Sequence, residues 1–243
     1  MMRTLTIEFP DRKTQCIFPV ARMQLSEALT ELDLEGGLPV IVLIGGAIDD
    51  RETVVTDSAI HTIAKLAAEM KALVICGGTD MGVMAVIGQV RSQHGYTFPL
   101  VGITLEDLVA WPGGPQNTKF LWWGKERWQL EPHYPYFILV PGSQFGDESA
   151  WIDDAAAVFS KGARSLTILI NGGEISRKDI QLSLERGRPV IALSRTGRLA
   201  DEISRDFDRN GLITVVSGNA DERIGEVVRA LLQIDQTHTH TAS

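Results

Sequence analysis

Short apolar runs recur along this chain, each closing at a glycine or polar turn and followed by residues at helical spacing. Residues 39–44, 73–76, 99–105, 136–140, 165–170, 189–193 and 212–216 are such runs, and their near-continuous apolar character is that of strands buried on both faces. Between them, apolar residues three and four apart predict helices over about 56–70, from 82 onward, 150–161, 177–186, 199–208 and 221–233. Ile60, Ile63, Ala64 and Ala67 form the inner stripe of the first, and Met84, Ile87 and Gly88 begin that of the second. Strands alternating with helices at such short intervals imply right-handed crossovers and an α/β fold, a doubly wound, mainly parallel layer sandwich.

Two segments depart from this rhythm. Residues 4–9 alternate apolar with polar, Pro10 and Asp11 interrupt, and 15–20 resume an extended pattern, so the chain opens with a hairpin or edge strands. An amphipathic helix over 23–34, closed by Gly36 and Gly37, completes an extension spanning 1–37. One ligand-binding domain is expected over 38–236, and 237–243 reads as a loose tail whose histidines are solvated. The second departure is 106–135, where periodicity stops and Trp111, Trp122, Trp123 and Trp128 occur among prolines and glycines. Long irregular segments in compact domains are usually functional or disordered, and the tryptophans argue against disorder. Either this insertion is a lid or interface, with an indole stacked on a nucleobase, or its aromatics simply pack on the domain.

With 243 residues and 44% apolar content, the chain can bury one large core. Its net charge of −8 repels polyanions, which excludes duplex nucleic acid as the natural partner and requires any phosphate to be held locally. Cys16 and Cys76 each sit in an apolar run, as small core residues of a reducing compartment do. No stretch has the length of a membrane span, and the first residues lack the apolar core of a signal peptide, so a cytoplasmic protein is expected.

In a doubly wound sheet the strand-to-helix turns share one edge, and ligands bind there. Gly45 and Gly46, Gly77 and Gly78, and Gly172 and Gly173 supply three such turns, with Gly197 in a fourth. Glycine turns at helix N-termini point backbone N–H groups at one spot, which suits phosphate. The turn after 73–76 runs Gly77, Gly78, Thr79, Asp80, Met81, Gly82, a spacing that is neither the dinucleotide fingerprint nor a Walker loop. Asp80 either bonds a ribose or caps the next helix. Asp49, Asp50 and Arg51 hold a ligand or form a solvated loop. Glu148, Asp153 and Asp154 complement a helix dipole or bind a divalent cation. Arg195 and Arg198 flank Gly197, placed for pyrophosphate or as surface charge. His61 is assigned to an exposed helix face, and His133 is the histidine to test for catalysis.

The run Val74-Ile75-Cys76-Gly77-Gly78-Thr79-Asp80-Met81-Gly82-Val83-Met84 resembles the T-G-G-T-x-x-G-V-M signature of the SLOG superfamily, in the branch shared by prokaryotic proteins and the cytosolic N-terminal region of TRPM channels. The likeness continues through 130–140, Asn171-Gly172-Gly173, 187–193 and 197–201, covering roughly 38–205. The resemblance implies a Rossmann-like domain for a nucleotide or its derivative, ADP-ribose being the best-discussed example, with Gly45, Gly46, Gly77, Gly78, Thr79, Asp80, Gly82, Asn171, Gly172, Gly173, Glu174, Ser176 and Arg195 about the ligand. It also implies a homo-oligomer. Magnesium enters only as a companion of the nucleotide; no metal site is assigned.

The LOG phosphoribohydrolases of that superfamily carry P-G-G-x-G-T-x-x-E, where this chain reads Asn171-Gly172-Gly173-Glu174-Ile175-Ser176-Arg177-Lys178-Asp179. Ser176 replaces the threonine as a helix cap, forming a capping box with Asp179. Ile175 replaces a glycine at a tight turn, Asp179 replaces the glutamate, and Asp153 and Asp154 stand where those enzymes present an arginine. Loss of that phosphate clamp favours binding and sensing over turnover. The alternative is an N-glycosidic hydrolase in which Asp179 or Glu148 activates water.

Overall fold

The structure, a computed structural model, describes residues 2–46, 53–118, 126–205 and 211–232. The chain begins with the hairpin β1 (Arg3–Phe9) and β2 (Arg12–Phe18), followed by a single 3-10 turn and helix α1 (Leu25–Glu31). Next come β3 (Val40–Gly45), α2 (Thr53–Glu69), β4 (Leu73–Cys76), α3 (Gly82–Gln93) and β5 (Leu100–Leu105). Two short strands, β6 (Val109–Ala110) and β7 (Trp128–Gln129), belong to the insertion. The chain then runs through β8 (Tyr136–Val140), α4 (Ser149–Ser160), β9 (Ser165–Ile170), α5 (Glu174–Glu185), β10 (Val190–Ser194), α6 (Arg198–Arg205), β11 (Ile213–Ser217) and α7 (Asp221–Leu232).

Nine strands form one sheet in the order β1-β2-β8-β5-β4-β3-β9-β10-β11, and every pair except the β1–β2 hairpin is parallel. The opening hairpin extends this sheet through β2, which runs parallel to β8. Continuous apolar strands follow from burial on both faces. In β3, Ile41 and Leu43 enter the core beneath α2, α3 and α7, while Val40, Val42 and Ile44 enter the core shared with α1, α4, α5 and α6. From β3 the chain builds outward through β4, β5 and β8, then returns to β9 on the other side of β3. The carboxyl ends of β3 and β9 therefore diverge into helices on opposite faces, leaving a crevice at the switch point.

A buried acid, its half-buried neighbour and a buried cation brace the second helical layer. Arg188, 2% exposed at its side chain, donates to Asp153 Oδ1 at 2.7 Å and to the Asp153 carbonyl at 3.0 Å. Arg186 reaches Asp153 at 2.5 Å and Asp154 at 2.6 Å from its partly exposed position. Asp153 is thus a structural anchor of α4 against α5, neither exposed nor directed to the ligand edge.

Candidate functional site

The turns that follow β3, β4 and β9 converge on the switch-point crevice, which encloses a cavity of about 520 Å³. Gly45 and Gly46 form its floor at the end of β3, Gly77 and Thr79 one wall, and Gly173, Glu174, Ser176 and Asp179 of the β9–α5 connection the other. Glu148 closes one side from the N-terminal end of α4. Met81, Met84, Phe145, Ile152 and Trp128 make most of the remainder apolar. Gly45 is required by close approach, since a Cβ there would meet Val83 Cγ2 at 2.4 Å and the Ile170 carbonyl at 2.7 Å.

Other residues of the same motifs support the site from outside. Gly78 has a φ of +77° and packs on β5 and β8; a Cβ would lie 2.8 Å from Gly102 Cα and from the Phe137 ring. Gly78→Val is therefore expected to lower stability by roughly 3 kcal/mol, from left-handed strain and overpacking together. Urea denaturation checks this, and an unchanged midpoint would contradict it. Asn171 does not face the cavity either. It is fully buried, donates from Nδ2 to the Thr196 carbonyl at 3.0 Å, and accepts from the Gly172 N–H at 2.7 Å. Gly172 and Gly82 are likewise not among the cavity-lining residues.

Three local expectations are corrected by helix geometry, and a fourth lies beyond the described residues. Helix α5 starts at Glu174 with Gly173 as its N-cap, so Ser176 sits inside the first turn and forms no cap or capping box. For the same reason Ile175 occupies helix rather than a tight turn, and its side chain lines the cavity. Met81 is the N-cap of α3, and Asp80 provides no cap; its backbone N–H donates to the Gln129 carbonyl at 2.8 Å. Asp49, Asp50 and Arg51 lie outside the described residues.

The β10–α6 turn decides which arginine reaches the site. Asn171 and Gly172 accept the Ala200 and Leu199 N–H groups at 3.0 and 3.3 Å, which ties this turn to β9. Arg195 and Arg198 both adopt positive φ, at 68° and 46°. Arg195 is exposed and away from the cavity, its backbone N–H given to Asp201 at 2.5 Å. Arg198 lines the cavity instead. A Cβ on Gly46 would lie 3.1 Å from its Nη1, and one on Gly173 2.7 Å from its Nη2. The guanidinium rests on both turns, beside the first turn of α5, whose N–H groups have no intrahelical acceptors. Among the described residues it forms no hydrogen bond or ion pair.

At the other end lie two carboxyls. Burial pushes Asp179 up to about 7, with the nearby Ser149 hydroxyl opposing the rise, Glu148 adding to it and Lys178 opposing it. Burial raises Glu148 as well, against hydrogen bonds that include one from the Gly146 N–H at 2.8 Å. Asp179 Oδ1 is buried, and among the described residues it has no hydrogen-bond partner. Among the described residues no three His, Cys, Asp or Glu side chains are grouped to hold a metal ion.

The insertion divides its roles. Trp111 is buried and tilted against Phe18, so that part packs on the domain. Trp128 instead lines the cavity, held there as β7 pairs with β6 and as Leu130 bridges Thr79. Trp122 and Trp123 lie outside the described residues. His133 is not in the cavity. Its Nδ1 pairs with fully buried Glu131, and its backbone N–H donates to the same carboxylate at 2.7 Å, making it a brace of this segment.

A doubly wound parallel sheet with its cavity at the switch point defines a Rossmann-like α/β protein built around a small-molecule-sized crevice. The chain belongs to the family described as SLOG in TRPM, prokaryote, whose profile matches residues 38–240. No curated protein matches it. Among solved structures, TM1055, a structural genomics target, is similar with a TM-score of 0.56 and 19% identity over 79% of this chain and 99% of that one. The molybdenum cofactor binding protein of the phototrophic bacterium Rippkaea orientalis is similar at 0.55, with 14% identity over 81% and 98%. The molybdenum cofactor carrier protein of Chlamydomonas reinhardtii is similar at 0.51, with 16% identity over 80% and 98%. At these identities the likeness is one of fold. No helix of the described residues is long and apolar enough to cross a membrane.

Proposed function

We propose that the protein is a ligand-binding domain that senses a nucleotide or nucleotide derivative of the ADP-ribose or NAD-metabolite type. The observation that carries this reading is the Arg198 guanidinium, unpaired among the described residues and seated on Gly46 and Gly173 at the mouth of α5. Phosphate oxygens would meet the guanidinium and the N–H groups of Gly173 to Ser176 together, the arrangement that favours planar bidentate recognition at a helix N-terminus. Trp128, Met81, Met84 and Phe145 offer an apolar bed for a base. Self-association belongs to the same proposal and is read by size-exclusion chromatography.

The test is a thermal-shift screen against AMP, ADP, ADP-ribose, NAD, cyclic nucleotides, molybdenum cofactor and inorganic phosphate, with and without magnesium. A ligand that prefers the folded state stabilises it by about 2.7 kcal/mol at one hundred times its Kd. Arg198→Ala, which removes an exposed side chain, is expected to keep its unliganded melting temperature and lose roughly 30- to 100-fold in affinity. No shift with any compound overturns the reading.

The Asp179–Glu148 pair favours a second reading, hydrolysis of a nucleotide N-glycosidic bond, because a carboxyl near neutrality can hold or release a proton at working pH. Free base released by wild type and not by Asp179→Asn would establish it. Tight binding without base release would reject it.

A further inference from the structure

Asp179 lines the cavity from the second turn of α5, and among the described residues no cation is paired with it. Its neighbour Lys178 gives its Nζ to the Gly146 carbonyl at 2.6 Å. On α4, Asp153 is held by Arg186 and Arg188, Ser149 carries only a hydroxyl, and Glu148 brings a second carboxyl. Glu174 and Arg198 complete the charged groups on the cavity wall. A site with one cation and three carboxyls would repel a multiply charged anion if all were ionised. Of the three cavity carboxyls, Asp179 is the one with a buried oxygen, Oδ1, that finds no hydrogen-bond partner among the described residues. An ionised carboxylate only accepts hydrogen bonds, whereas the neutral acid donates one.

We infer that Asp179 meets the ligand as a neutral carboxylic acid, donating a hydrogen bond to an acceptor oxygen of the bound molecule. Resting on the nucleotide reading above, this assigns Asp179 to ligand recognition and makes binding proton-linked. Near neutral pH much of Asp179 already holds the proton, and above it each binding event takes one proton from the buffer.

ADP-ribose is the suitable probe, since its pyrophosphate does not itself titrate between pH 6 and 9. Calorimetric titration is run across that range in two buffers of different ionisation heat. Wild-type affinity is expected to fall towards tenfold per pH unit above about pH 7, with close to one proton taken up at pH 8.5. Asp179→Asn, a neutral amide of the same shape that also donates, is expected to bind with pH-independent affinity and no proton uptake. Wild-type affinity that stays flat or rises with pH overturns the inference, as does loss of binding in Asp179→Asn at every pH. If ADP-ribose binds neither protein at pH 6, the nucleotide reading fails, and the ligand-free proteins judge the neutral acid. A stability gap between Asp179→Asn and wild type that is equal at pH 4 and pH 8 overturns it, and one that widens upholds it.

Discussion

At pH 8 and without ligand, Asp179→Asn is expected to melt on the order of 10 °C above wild type, and at pH 4 the two proteins are expected to differ little. The cause is burial of the carboxyl, reinforced by the Glu148 charge and outweighing the opposing pull of Ser149 and Lys178. Its pKa rises from the ordinary 3.8 to about 7 in the folded chain. The sign follows from linkage. Below the unfolded value the acid is neutral in both states and costs nothing. Between the two values the folded protein holds a proton that the unfolded chain has released, so stability falls as pH rises. Above about 7 the buried charge is present in full, and its cost reaches about 4 kcal/mol at 1.36 kcal/mol for each pH unit. Asparagine never ionises and escapes that cost. Melting curves of both proteins from pH 4 to 8 measure the gap, and a constant gap would show that Asp179 titrates as an ordinary exposed acid.

Arg188→Leu is expected to destabilise the protein by about 3–5 kcal/mol, towards the lower end because Arg186 remains beside Asp153. Arg188 loses its contacts to the Asp153 carboxylate and carbonyl and to the Ser183 and Ser165 hydroxyls, leaving an 8% exposed carboxylate short of its buried partner. Most of the penalty belongs to the abandoned charge. The double variant Arg188→Leu with Asp153→Leu should therefore recover much of the loss. Urea unfolding of the two single variants and the double one checks this. A double variant as weak as the sum of the singles would mean that the pair is not coupled.

The strands 73–76, 136–140 and 165–170 were readable to the residue because an apolar run buried on both faces ends abruptly at glycine, proline or a polar turn. Helix α5 was placed three residues late. Its N-cap is Gly173, which offers no side-chain signal, while Ser176 and Asp179 imitate a capping box one turn further on. The brief β6–β7 pair inside the insertion has no periodicity to detect, as each strand is two residues long and is defined by its partner.

By itself the sequence determined the α/β class, the order of the main strands and helices, and the edge on which the glycine turns gather, because strand burial, helical spacing and glycine turns are local properties. Only the tertiary structure decided what occupies that edge. It put Arg198 rather than Arg195 over the glycine turns, turned Asp153 to Arg188, sent Gly78 and Asn171 into packing, and buried Asp179 Oδ1 without a hydrogen-bond partner among the described residues. These outcomes depend on which side chains from distant segments meet at the switch point, and sequence spacing carries no record of that meeting.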